Sequence, residues 1–134
     1  MTKPYILCVD DEPTILLSLK AQLKNIFGNQ FFYEIAESAE DAWEVIDELS
    51  EDEEHIVLII SDWLMPNTKG DDFLIDVHQH FPKVVKIMLT GQADPVAVER
   101  AEKDASLAAC LQKPWSCEEL EAAIKKGLAA AGAA

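Results

Sequence analysis

Basic residues are scarce in this chain: 11 lysines and arginines stand against 25 aspartates and glutamates, a formal net charge of −14. Phosphate contacts need clustered cations, so direct binding to nucleic acid or to an anionic membrane is disfavoured. Cysteine is scarcer still. Cys8, Cys110 and Cys117 are isolated and odd in number, which argues against both a metal-binding cysteine motif and a disulfide framework. Cys8 and Cys110 fall inside apolar strand patterns and suit small core positions. No apolar run approaches the roughly 20 residues of a bilayer span, and Met1-Thr2-Lys3-Pro4 lacks the apolar core of a signal peptide. These absences point to the cytosol. With 134 residues, 49% of them apolar, the chain suits a single domain with a real core.

What is present is an alternation of short apolar runs and amphipathic segments. Tyr5 to Val9 reads as a strand that ends in acid. Residues 13–27 read as a helix with Ile15, Leu16, Leu19, Leu23, Ile26 and Phe27 on one face. Pro13 suits the first helical turn, and Gly28-Asn29 end it. Residues 31–36 form a second strand. Ser38 is an N-cap candidate, with Glu40 and Asp41 suited to the positive end of the helix that follows. That helix turns Ala39, Ala42, Trp43, Ile46 and Leu49 inward.

The run Glu51-Asp52-Glu53-Glu54 reads as a solvated loop. The unbroken apolar strand 56–61 after it is buried on both faces, as in a parallel sheet. A third helix spans 70–81 with Phe73, Leu74, Val77 and Phe81 inward, and a fourth strand spans 84–89. Asp94-Pro95 start a weakly amphipathic helix to about Ala105, and 107–111 make a short edge strand. Ser116-Cys117-Glu118-Glu119 matches a capping box opening the last helix. Five strands alternating with five helices give a three-layer α/β sandwich with right-handed crossovers. The alanine-rich stretch 129–134 has no core of its own and reads as a tail or the start of a linker after a domain at 1–128.

The chemistry collects where strands run out. Asp10-Asp11 closes the first strand, Asp62 the third, Thr90 the fourth, and Lys113-Pro114 follows the fifth. In a parallel sheet these ends share one edge, where ligands bind. Asp11 or Glu12 alone could be helix caps, and Asp62 alone an ordinary strand end. Three carboxylates together repel one another unless a cation intervenes, and hard oxygen ligands favour Mg²⁺. A hydroxyl and an ammonium beside them suit a tetrahedral dianion. A carboxylate can also accept a phosphoryl group as an acyl phosphate, and Asp62, after the most buried strand, is the best-placed acceptor.

The set Val9-Asp10-Asp11-Glu12, Asp62-x-x-Met65-Pro66-x-x-x-Gly70, Leu89-Thr90-Gly91 and Lys113-Pro114 resembles the receiver domain of two-component response regulators, over Tyr5 to about Leu128. The resemblance implies a doubly wound, flavodoxin-like (βα)5 sheet of order 2-1-3-4-5. It implies phosphorylation of Asp62 by a histidine kinase, with Mg²⁺ held by Asp11, Asp62, the Leu64 carbonyl and, through water, Asp10. Lys113 would contact the phosphoryl group and Thr90 would turn toward it. The Lys113–Pro114 peptide would be cis, and Gly70 would permit the turn into the third helix.

The output face would be the fourth helix, fifth strand and fifth helix, including Val98 and Ala105. It would act on an effector or output domain, and a homodimer is allowed. The family's aromatic switch position, three before the lysine, is here Cys110, which has no ring to couple to Thr90. Leu64 and Gln92 occupy positions that tune access of hydrolytic water, and apolar Leu64 implies a long-lived phosphoryl group. The strings 88–94 and 113–115 also look similar to receivers coupled to cyclic-dinucleotide phosphohydrolase or other enzymatic outputs. Trp115 is otherwise expected to pack on the last helix.

Other readings fit less well. An aspartyl phosphatase would want an acid two residues beyond its nucleophile, where this chain has Leu64. At most, weak autophosphatase activity is expected. A flavin-binding module would want a phosphate loop where Asp10-Asp11-Glu12 stands. A receiver-like scaffold that signals without phosphorylation would not need all five site residues. His55, His78 and His80 are scattered and read as solvated or partly packed.

Overall fold

A computed structural model describes residues 3–65, 67–91 and 95–131. The element order is β1 (Tyr5–Val9), α1 (Pro13–Phe27), a 3-10 turn at Gly28–Gln30, β2 (Phe32–Ala36), α2 (Ala39–Glu51), β3 (Ile56–Asp62), α3 (Gly70–His80), β4 (Val85–Thr90), α4 (Pro95–Asp104), β5 (Ala109–Gln112) and α5 (Cys117–Ala130). All strand pairs are parallel and the sheet order is β2-β1-β3-β4-β5. This is the three-layer α/β sandwich expected from the alternation, with the flavodoxin-like strand order that the family resemblance implied.

The sheet separates two cores, because successive strand side chains point to opposite faces. On one face Ile6, Cys8, Leu58, Ile60, Ile87 and Leu89 meet Leu16, Leu19 and Leu23 of α1 and Leu120 and Ile124 of α5. On the other, Leu7, Val9, Ile59 and Met88 meet Ala42 and Ile46 of α2, Phe73, Leu74 and Val77 of α3, and Ala101 of α4. The apolar runs of β1, β3 and β4 are thus the signature of burial on both sides. Ser38 caps α2 by accepting from the Asp41 N–H at 3.0 Å. Ser116 and Glu119 form the expected capping box at α5, with both bonds at 3.1 Å.

Several details differ from the sequence reading. β5 begins at Ala109 rather than 107, because Ser106 takes a left-handed φ of 52° and the chain re-enters the sheet only at the Ala108 N–H, which donates to the Lys86 carbonyl at 2.8 Å. Ala105 is fully buried among the α3-side core residues and so is no part of an exposed output face; Val98 is half-buried against the same core. The acidic run is not wholly a solvated loop: α2 continues through Glu51, and Glu54 is half-buried. Trp115 is tied to α1, its indole N–H donating to Gln22 at 2.8 Å. Asp94, Pro66 and Gln92 lie outside the described residues.

One buried charge was not anticipated. Lys86 in β4 is 1% exposed and its ammonium donates to the Val84 carbonyl, with no carboxylate partner among the described residues. Burial pulls its pKa from 10.5 down to about 8. The folded state therefore holds fewer protons than the unfolded one between pH 8 and 10.5, so this group's penalty is full below pH 8 and fades as pH rises through that window. Lys86→Met is expected to stabilise the protein at pH 7 by on the order of 2 kcal/mol. It should also flatten the rise in urea stability between pH 8 and 10. A Met variant less stable than the parent at pH 7 would contradict this.

Candidate functional site

The register of the sheet builds the site. Val9 pairs with Ser61, Asp62 with Leu89 and Thr90 with Gln112. Each site residue therefore sits level with, or one step past, its neighbour's strand end. The backbone ladder runs one rung further: the Asp10 N–H donates to the Ala36 carbonyl (3.1 Å), Trp63 to Leu89 (2.8 Å) and Lys113 to Thr90 (2.8 Å). Asp10 is held again from its side chain, where Oδ1 accepts the Glu12 N–H at 2.9 Å. Glu12 itself, at the N-cap of α1, makes no side-chain capping bond, so its carboxylate is not explained as a cap.

Asp10, Asp11 and Asp62 bring carboxylate oxygens within 4.8 Å of one another. Lys113 reaches over from the far side of the sheet edge, its Nζ lying 3.0 Å from Asp62 Oδ1 and 3.2 Å from Asp10 Oδ2. Asp10 is fully buried and Asp62 is 5% exposed. Burial pushes the Asp62 carboxyl above its ordinary pKa, and the Asp11 charge adds to this, against the opposing pull of Lys113. Burial likewise raises Asp10, with the Asp62 charge in support and the Glu12 N–H and Lys113 opposing. For Lys113, burial alone would lower the pKa, but the bonds and charges of Asp62 and Asp10 together outweigh it and raise it. One ammonium thus only partly compensates three acids. Such a cluster of hard oxygens fits a small divalent cation.

Thr90 contributes a hydroxyl that is buried and has no hydrogen-bond partner among the described residues. An unspent buried donor is costly, and this one stands on the strand between those of Asp62 and Lys113. The Lys113–Pro114 peptide is cis. Leu64 is 62% exposed beside the acids, and Cys110 is half-buried in the core on the α3 side.

Gly70 is needed for a reason the sequence reading did not give. Its backbone is not left-handed; instead, a Cβ here would lie 2.0 Å from the Asp62 carbonyl oxygen. The close approach closes the loop after β3, with the Gly70 N–H donating to the Trp63 carbonyl at 2.7 Å. Sequence reasoning also missed Arg100 of α4, whose Nη1 bridges Asp71 Oδ2 at 3.0 Å and Asp72 Oδ1 at 2.7 Å in the first turn of α3. No local pattern marks a pairing across that separation.

Residues 6–125 match the response regulator receiver domain family, and the chain belongs to it. The signal receiver domain of an HD domain-containing protein from Pseudomonas fluorescens Pf-5 is 26% identical, with a TM-score of 0.87 over 99% of this chain and 100% of that one. The beryllofluoride-activated NtrC4 receiver domain dimer is 28% identical, with a TM-score of 0.81 over 95% and 98% of the two chains. The hydrogenase transcriptional regulatory protein HoxA of Cupriavidus necator is 26% identical over 77 residues. That match covers 58% of this chain and 16% of HoxA. Membership of the family carries a phosphorelay signalling role, and receiver domains generally bind Mg²⁺ at an acidic pocket such as this one. Among the described residues no helix is long and apolar enough to cross a membrane.

Gly70→Ala is expected to cost about 1–3 kcal/mol, because the collision is with backbone that cannot give way without moving Asp62. Urea unfolding measures the loss. An unchanged midpoint would show that the loop after β3 is not held as described.

Proposed function

We propose that the chain is a phosphorylation-dependent switch that accepts a phosphoryl group on Asp62 from a histidine kinase. The observation that carries this reading is the Lys113 ammonium bridging Asp62 and Asp10 beside Asp11, which makes an anion-and-cation site around one buried carboxylate. An Asp62 carboxylate oxygen attacks phosphorus as the P–N bond to the kinase histidine breaks. The nitrogen keeps that electron pair and takes up a proton. Lys113 then pairs with the phosphoryl oxygens, and the unpartnered Thr90 hydroxyl gains an acceptor.

Mg²⁺ would be held by Asp11, Asp62 and the Leu64 carbonyl, with Asp10 bound through water, and it supplies charge neutralisation for the transferring group. Only groups that interact differently with the phosphorylated and free states can shift their balance, and Thr90 and Lys113 are the two placed to do so. The acidic surface fits an output through protein contacts, in an effector or an attached domain, rather than by direct nucleic-acid binding. We place the receiver unit at residues 1–128, working in the cytoplasm as a signalling domain rather than an enzyme. A homodimer is compatible with this role.

Acetyl phosphate with Mg²⁺ should add one phosphoryl mass to the wild type and none to Asp62→Asn. Equal labelling of the variant would remove Asp62 as acceptor. Mg²⁺ alone should raise the melting temperature of the wild type, since it relieves repulsion among buried acids. Asp11→Asn should abolish that rise, and a variant with the full rise would displace Asp11 from the ligand set. The exposed apolar Leu64 side chain disfavours an in-line water, so the acyl phosphate should decay more slowly in wild type than in Leu64→Asn. Time-resolved loss of label measures the difference, and the reverse order would overturn it.

A further inference from the structure

The cleft between α1 and α2 plays no part in the phosphoryl site. It has a volume of about 420 Å³, and Leu16, Leu17, Ile35 and Val45 give it an apolar lining. Leu17 is 62% exposed while Leu16, Leu19 and Leu23 of the same helix are buried, so its side chain is left to the cleft and to solvent. Along the α2 side stand Glu37, Asp41, Glu44 and Glu48. The last three are spaced three and four residues apart and so share one helix face.

Like charges at that spacing oppose helix formation, and α2 contains no lysine or arginine to relieve them. None of the four carboxylates is in an ion pair among the described residues, and no cation lines the cleft. An exposed leucine beside an unrelieved line of carboxylates is unfavourable alone, and both defects are removed by the same occupant. That occupant presents apolar side chains at helical spacing, flanked by lysine or arginine.

We propose that the α1–α2 cleft docks a basic amphipathic helix of a partner protein, with Leu17 and Val45 taking its apolar face and Asp41, Glu44 and Glu48 its cations. The cleft's lining includes Pro13, the first residue of α1, and Glu37, which directly follows β2, so it reaches the end of the fold that carries the acids. Next to it, Glu40 of α2 accepts from the Thr68 hydroxyl at 3.3 Å in the loop after Asp62. A helix seated here therefore lies beside the acceptor loop without using any residue of the phosphoryl site.

The probe is a synthetic helix of about 18 residues, about 27 Å long, with leucines on one face and lysines flanking them. A control peptide carries glutamate at every lysine. In ¹H–¹⁵N spectra of the full chain, the lysine peptide should shift amides around Leu17, Ile35 and Val45, and the control should shift none. Glu44→Lys/Glu48→Lys and, separately, Leu17→Asn should each weaken binding at least about tenfold. These positions are exposed and the variants should fold. Asp62→Asn should bind as the parent does, which separates this site from the phosphoryl acceptor.

Shifts spread over the whole acidic surface, or centred on α4 and α5, would overturn the proposal. So would affinity unchanged in the charge-reversal variant. Sedimentation of the protein alone should be the same for parent and charge-reversal variant. A dimer that Glu44→Lys/Glu48→Lys dissolves would assign the cleft to a second copy instead.

Discussion

The parallel hydrogen-bond ladder continues one rung beyond its strands, and the site depends on that rung. The N–H groups of Asp10, Trp63 and Lys113 each donate to the carbonyl of a neighbouring strand end. Residues more than twenty positions apart in sequence are thereby fixed side by side before any side chain acts. Parallel pairing has no short connection available, so every strand must be followed by a crossover helix. The two apolar faces of β1, β3 and β4 exist to bury those helices. Core and site are consequences of the same register: the odd and even positions of each strand fill the two cores, and the site residue is the last of its strand (Asp62, Thr90) or the first past it (Asp10, Lys113).

Such a register places charges where they are uncomfortable. Asp10 and Asp62 are almost completely removed from water, and each is raised in pKa mainly by that burial. Lys113 offsets part of the cost by pairing with both, and its own pKa is raised in return. Buried ion pairs seldom repay their desolvation in stability. The cluster makes better sense as a site whose energy falls when a cation or a phosphoryl group arrives. The unpartnered Thr90 hydroxyl belongs to the same account, because a donor left unmade in the resting protein is one that a new acceptor can satisfy.

How much of this was legible from sequence follows from how local each signal is. The alternation of elements, the strands buried on both faces and the edge position of Asp10, Asp11, Asp62, Thr90 and Lys113 rest on periodicity and on the rules of parallel sheets, whereas the strand order came only with the family resemblance. Caps at Ser38 and Ser116 are equally local. What escaped was decided by approach between segments far apart in sequence. Gly70 looks like any turn glycine until the Asp62 carbonyl is found where its Cβ would be. Lys86 looks like a polar residue at the start of a strand, yet it points into the layer between sheet and helices. Ala105 reads as the end of a surface helix, but the left-handed turn at Ser106 tucks it beneath the sheet edge. Trp115 packs on the core that α1 and α5 share, and its bond to Gln22 of α1 is the part no local pattern announces.

The bridge from Arg100 to Asp71 and Asp72 joins α4 to the first turn of α3. Asp71 follows Gly70 directly, and Gly70 is pressed against the Asp62 carbonyl, so the first turn of α3 is tied to the loop after β3. Arg100 lies on α4, whose strand of entry, β4, ends in Thr90. The Asp72 arm is exposed, and such pairs are worth little in water. The Asp71 arm differs, since that carboxylate is 7% exposed and its other oxygen is buried without a partner among the described residues. Breaking it strands a buried charge. A displacement of α4 relative to α3 therefore either carries the start of α3 with it or incurs that cost, and the loop after β3 is linked to α4 through Asp71.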